Sequence, residues 1–235
     1  MDYEQIVNFI NVINNFIASN ILMWGLVGTG IFLSAMLGFP QITKMSRAFK
    51  MVFGDLFKKK KDSEEGSMSS FQALATAVAA QVGTGNVAGV ATAITAGGPG
   101  AVFWMWMSAF LGMGTIFTEA TLAQKYRKKI NGELVGGPAY YISYGLEKMG
   151  PLRKLLAAFF SISLILALGF MGNAVQANSI AAGIRGISGL ENINPGIIGV
   201  VVAILAALIF IGGMKRIAKF AELVVPLMAV VYILG

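Results

Sequence analysis

Neither cysteine nor histidine occurs among the 235 residues. Disulfides, thiolate and imidazole metal sites, Ser-His-Asp and Cys-His catalysis and a histidine proton relay are thereby excluded from this stretch. Charge is scarce as well: 12% of the residues are charged against 56% hydrophobic, and the mean hydropathy is +0.73. A soluble core of this size cannot hide so much apolar surface, so the composition reads as a polytopic membrane protein. The apolar runs reach the roughly 20 residues a bilayer-spanning helix needs and lack the short alternation of an outer-membrane barrel. A basic leader is missing too: MDYEQIVNFINVINN carries Asp2 and Glu4, and the N-terminus is expected to be retained.

What is present is a set of six apolar segments, at about 16–39, 71–96, 101–123, 154–183, 196–213 and 219–235. With the N-terminus outside, the connectors facing the cytoplasm hold Lys44, Arg47, Lys50 and Lys58 to Lys61, then Lys125 to Lys154, then Lys215, Arg216 and Lys219. That puts 17 of the 18 basic residues inside and leaves Arg185 outside, the asymmetry the positive-inside rule rewards. The expected location is the cell membrane, plasma or inner, with several passes. A net charge of +7 fits basic loops beside anionic lipid; no amphipathic basic face points to nucleic acid. The stretch KKKKDSEEGSMSS reads as a solvated connector, and NGELVGGPAYYISY as a short interfacial helix with an aromatic belt.

The second segment is interrupted. FQALATAVAAQ supplies 11 residues from Phe71, about 16 Å of helix, so the cluster VGTGN falls near the midplane of a core some 30 Å thick. Close helix packing is one account: Gly85 and Gly89 form a GxxxG pair, and Ala73, Ala77 and Ala80 continue a smooth face. It leaves Gln81 and Asn86 unexplained. A dinucleotide loop is excluded, because no strand precedes the glycines. The other account is a broken helix, since two glycines around a β-branched threonine make a local minimum of helix propensity. Backbone freed at this depth must line a polar cavity or touch a ligand. The N–H groups opening the second half suit a carboxylate, and the C=O groups ending the first suit a small cation. A coupled amino-acid and sodium site is the chemical reading.

The run QVGTGNVAGVATAITAGGPGAVFWMW, with TEATLAQKYR, VGGPAYYI, GNAVQANSIA and GGMKRIAKFAELVVPLMAVVYIL, resembles the alanine or glycine:cation symporter family, also called sodium:alanine symporters. That family sits in the superfamily with the leucine-transporter fold. The resemblance implies an all-α integral membrane protein built from two inverted five-helix repeats, each with a discontinuous first helix. Residues 1–40 would be an additional N-terminal transmembrane helix, 41–70 a charged cytoplasmic connector, and 71–235 the first repeat, with its discontinuous helix at 71–96. The second repeat is absent from this sequence and would have to complete the site. The resemblance also implies that the backbone N–H groups of Thr84 and Gly85 hold the substrate carboxylate. Sodium, as coupling ion, would meet the backbone carbonyls of Ala79, Gln81 and Val82 and the side chain of Asn86. No other cofactor is implied.

The fourth span adds polar groups at membrane depth. In ALGFMGNAVQANSIA, Phe170, Asn173 and Gln176 recur at three-residue spacing and can share a helical face. Buried amides bonding neighbouring helices would account for them. In the functional reading Asn173 and Gln176 bind polar groups of the ligand and Phe170 forms a wall, with Gly169 and Gly172 leaving a tight pocket for alanine or glycine. Glu119 and Glu222 lie near the cytoplasmic ends of their spans and suit structural or gating roles, pairing with nearby Lys or Arg. GISG at 186–189 imitates a serine nucleophile motif, but no histidine is available as base, so no enzyme is expected. The expectation is a sodium-coupled symporter of small neutral amino acids working by alternating access. A passive channel and a non-transporting amino-acid-binding membrane protein stand as alternatives.

Overall fold

A computed structural model describes residues 3–54, 69–130 and 133–234. Helix α1 runs over Tyr3–Met36, with a π-helical stretch at Ile17–Leu22. Two short helices follow, α2 (Pro40–Thr43) and α3 (Met45–Gly54). Next come α4 (Ser70–Gln81), a 3₁₀ turn at Thr84–Asn86, α5 (Ala88–Gly97) and α6 (Gly100–Lys125). A small antiparallel hairpin, β1 (Lys128–Ile130) with β2 (Glu133–Val135), pairs Lys128 with Val135 and Ile130 with Glu133. It leads into α7 (Pro138–Gly145). The rest is α8 (Leu152–Arg185), π-helical over Ile165–Gly172, then α9 (Pro195–Phe210) and α10 (Gly213–Leu234).

Helices α1, α6, α8 and α10 are long and apolar enough to cross a bilayer, and α9 is a shorter apolar helix of 16 residues. The large side chains of α8, such as Phe159, Leu168 and Met171, point outward and are more than 60% exposed. Among the described residues the buried apolar side chains are mostly alanines. Large apolar groups outside and small ones inside are the arrangement of a chain solvated by lipid rather than water. The protein is a multi-pass membrane protein made almost wholly of helix.

Several expectations need correction. The first helix starts at Tyr3, not near 16, because Asn8, Asn11 and Asn15 recur at helical spacing beside an apolar face of Ile6, Phe9, Ile10 and Ile13. The segment read as connector opens with α2 and α3; its charged part, residues 55–68, lies outside the described residues. The interfacial helix is present as α7, where the Tyr140 and Tyr144 rings stack at 6.4 Å, but the small hairpin before it was not foreseen. Lys128 Nζ rests 3.5 Å from the centre of the Tyr144 ring. Burial, and then the charge of Glu119, push the Tyr141 hydroxyl above its ordinary pKa.

The chain divides into two compact units. In the first, residues 1–45 and 97–161, α1 packs on α6 through small residues. A methyl at Gly30 would lie 3.0 Å from the Leu111 carbonyl oxygen, and one at Gly114 would lie 2.4 Å from Ser34 Oγ. Ser34 is fully buried and accepts a hydrogen bond from Gln41 Nε2 at 3.0 Å. In the second unit, residues 46–96 and 162–235, α4 packs on α10 through Ala75, Ala221 and Val225, with Val78 beside them. All the sequence-predicted site residues belong to this second unit.

Candidate functional site

Helix α4 begins with a capping box: Ser69 Oγ accepts the Gln72 N–H at 3.1 Å, and Gln72 Oε1 accepts the Ser69 N–H at 3.2 Å. It ends at Gln81, after Val82 has donated to the Val78 carbonyl at 2.9 Å and taken an extended conformation. Gly83 is extended too, with φ −145° and ψ −167°. The two halves, Ser70–Gln81 and Thr84–Gly97, are bent by 75°. The helix therefore breaks where the glycines, threonine and asparagine stand.

Side chains take over hydrogen bonds that the helix gives up. Asn86 Oδ1 accepts the Gly83 N–H at 3.0 Å, an asparagine cap closing the 3₁₀ turn. Gln176, 92 residues further along, reaches from α8 and accepts the Thr84 N–H on Oε1 at 3.2 Å. Gly83 makes room for it, since an added methyl would lie 2.4 Å from Gln176 Nε2. Tyr232 Oη, from α10, donates to the Asn86 carbonyl at 3.4 Å.

Other groups of the break stay open. The carbonyls of Ala79, Ala80, Gln81 and Val82 have no hydrogen-bond partner among the described residues, and neither does the N–H of Gly85. The carbonyls carry the partial negative charge of a helix C-terminus, and the Gly85 N–H carries partial positive charge. One interrupted segment thus presents acceptors for a cation beside a donor for an anion.

The expected residues are not all gathered there. Thr84, Gly85, Asn86 and Gln176 are brought together, along with the carbonyls of Ala79, Gln81 and Val82. Asn173 instead donates from Nδ2 to the Gly169 carbonyl of its own helix at 3.0 Å, and Phe170 is 67% exposed. Phe170 lies within the π-helical stretch Ile165–Gly172 and Asn173 follows it, so the wider turns shift Phe170 from the face that three-residue spacing gives it beside Asn173 and Gln176. Gly85 and Gly89 also fail the packing account: a methyl at either meets no described atom within 4 Å. Nor is the alanine face the expected one, because Ala73, Ala77 and Ala80 are exposed while Ala75 is buried. Glu222 bonds to an amide rather than to Lys or Arg: Oε2 accepts from Gln72 Nε2 at 2.8 Å. Tyr232 went unrecognised; its one signal was a lone hydroxyl in the apolar run MAVVYIL.

A sequence model of the sodium:alanine symporter family matches residues 3–235. The sodium/alanine symporter AgcS of Methanococcus maripaludis is 46% identical over 230 residues, 97% of this chain and 49% of that protein. YrbD of Bacillus subtilis, provisionally named a sodium/proton-dependent alanine carrier protein, is 44% identical, covering 97% of this chain and 44% of its own length. The amino-acid carrier protein AlsT of the same organism is 40% identical, with 97% and 46% covered. The chain spans about half the length of the curated relatives it matches. No solved structure gives a significant match.

Proposed function

The chain belongs to the sodium:alanine symporter family, and from that membership we propose that it forms half of a sodium-coupled symporter for small neutral amino acids, alanine foremost. The protein works by alternating access in the plasma or inner membrane, its N-terminus outside, within a leucine-transporter-like fold. In that reading the broken helix α4–α5 opens the first five-helix repeat, α6, α8, α9 and α10 continue it, and α1 is the additional helix. The second half of the site comes from a second repeat.

The observation that carries this reading is the break, with its four open carbonyls and its open Gly85 N–H. A zwitterion and a sodium ion together present the charges those groups complement. The substrate carboxylate takes the N–H groups of Gly85 and Thr84, the latter once Gln176 moves aside. Gln176 and Asn173 then serve the substrate's polar groups, and Phe170 walls the pocket. Sodium takes the carbonyls of Ala79, Gln81 and Val82, with the free lone pair of Asn86 Oδ1 completing this half of its shell. Binding energy differs between the two access states because the second half of the ligands closes in only one of them.

Uptake of radiolabelled alanine into proteoliposomes carrying the full-length protein is expected to collapse when the sodium gradient is removed. Asn86→Ala loses both the turn cap and a sodium oxygen, so sodium affinity falls about tenfold or more. Alanine uptake indifferent to the sodium gradient refutes the reading.

A further inference from the structure

Helix α10 grips the broken helix on both sides of the interruption. On the near side, Glu222 Oε2 holds Gln72 Nε2 at 2.8 Å, while the other end of the same amide is spent on the Ser69 N–H. One turn on, Ala221 and Val225 pack against Ala75 and Val78. On the far side, Tyr232 Oη meets the Asn86 carbonyl at 3.4 Å. That carbonyl lies outside the helical ladder, because α5 starts only at Ala88, and the hydroxyl is its one hydrogen-bond partner among the described residues. Residues 221, 225 and 232 fall on one stripe of α10 at helical spacing and Glu222 stands on its flank, so one side of the helix makes all three kinds of contact. Pro226 stands between the two polar grips; it lacks an N–H and so frees the carbonyl four residues back, that of Glu222, which lets α10 bend there.

We infer that α10 is a splint for the interrupted helix, and that Glu222 and Tyr232 are positioning residues which fix the angle between its two halves. Neither residue touches ligand. Each acts through another: Glu222 through Gln72 on the first half, Tyr232 through the Asn86 carbonyl at the turn. With both grips made, the segment that carries the carbonyls of residues 79–82 and the Gly85 N–H keeps one geometry, as two ligands bound side by side require. This inference rests on the symporter reading for its functional consequence, but its structural part stands apart from transport.

The test uses that separation. The 235 residues hold no cysteine, so cysteines placed at Leu74 and Ile94, exposed positions on the two halves, accept spin labels selectively within this chain. The label-to-label distance in the full-length protein is expected to be narrowly distributed. Tyr232→Phe, Glu222→Ala and their combination are expected to broaden or shift it by several ångströms, with Glu222→Gln, which keeps an acceptor for Gln72, near the parent. In uptake, Tyr232→Phe is expected to raise the sodium concentration for half-maximal transport about fivefold with Vmax per folded protein retained. An unchanged distance distribution in Tyr232→Phe, the variant least able to disturb folding, overturns the splint whatever the other variants do. Absence of sodium-driven uptake in the parent protein overturns the symporter reading and leaves the distance measurement to decide the splint.

Discussion

Replacing Gly83 by alanine isolates one contact of the site. The Gly83 backbone, at φ −145° and ψ −167°, is open to any L residue, so alanine brings no backbone strain. Its methyl would lie 2.4 Å from Gln176 Nε2 and 3.3 Å from Gln176 Cδ. The obstacle is the end of a flexible, exposed side chain, which swings away instead of forcing the helices apart. What is lost is the 3.2 Å bond from the Thr84 N–H to Gln176 Oε1, a net of about 0.5–1.5 kcal/mol. The alanine also restricts the unfolded chain by about 0.4–1 kcal/mol, so global stability hardly moves. In the proposed site the contact Gln176 gives up with the ligand outweighs the Thr84 bond for which it no longer competes, so alanine affinity, measured by titration calorimetry in sodium, is expected to fall about two- to tenfold. Gln176→Ala should fall as far, and the double variant no further, since the methyl then meets nothing. Additive losses in the double variant, or wild-type affinity in Gly83→Ala, would refute the reasoning.

Gly114→Ala drives a methyl against Ser34, whose Oγ is 2.4 Å and whose Cα is 3.3 Å away, and a fully buried serine cannot step aside. The α1–α6 contact is expected to lose about 1–3 kcal/mol, read as an earlier unfolding transition in detergent, and an unchanged transition would mean the helices do not pack here. In the loop before α9, backbone N–H groups of Glu191 itself and of Gly189 hold the Glu191 carboxyl below the ordinary glutamate pKa. Because the folded pKa is depressed, the loop's added stability is present above the unfolded pKa and is lost as pH falls through the folded one. The carboxyl carbon resonance of Glu191 should titrate below that of an exposed glutamate, and an ordinary midpoint would argue that the turn at Gly189 does not form.

The break was legible because its cause is local. Glycine, threonine, glycine and asparagine at the middle of an apolar segment weaken the helix there by their own propensities, whatever partners the rest of the chain supplies. Partners across the fold were not legible in the same way. Gln72 and Glu222 are 150 residues apart, and Tyr232 and Asn86 are 146 apart; only the packing of α4 on α10 brings either pair together. Strands of three residues are too short to show alternation, so the hairpin at Lys128–Ile130 and Glu133–Val135 left no period to read. Phe170 was placed by three-residue spacing from Asn173, which the π-helical stretch that contains it does not obey.

The two sides of the break are satisfied unequally, and this bears on the order in which the proposed ligands bind. Asn86 and Gln176 already cover the N–H groups of Gly83 and Thr84, while the carbonyls of residues 79–82 are bare among the described residues. A carbonyl left without a protein partner at membrane depth costs free energy that a cation recovers without displacing any described protein group. A carboxylate must first move Gln176 from the Thr84 N–H. In the proposed site sodium is therefore expected to bind first, its charge then drawing the carboxylate into competition with Gln176. Linkage requires the same factor in both directions: sodium must tighten alanine as much as alanine tightens sodium. Titrating each ligand in the presence and absence of the other is expected to give matching factors of about 5–150. With Gln176→Ala the factor should persist, because the coupling runs through charge at the break and not through the displaced amide. Alanine affinity indifferent to sodium would mean that the two ends of the break do not serve one site.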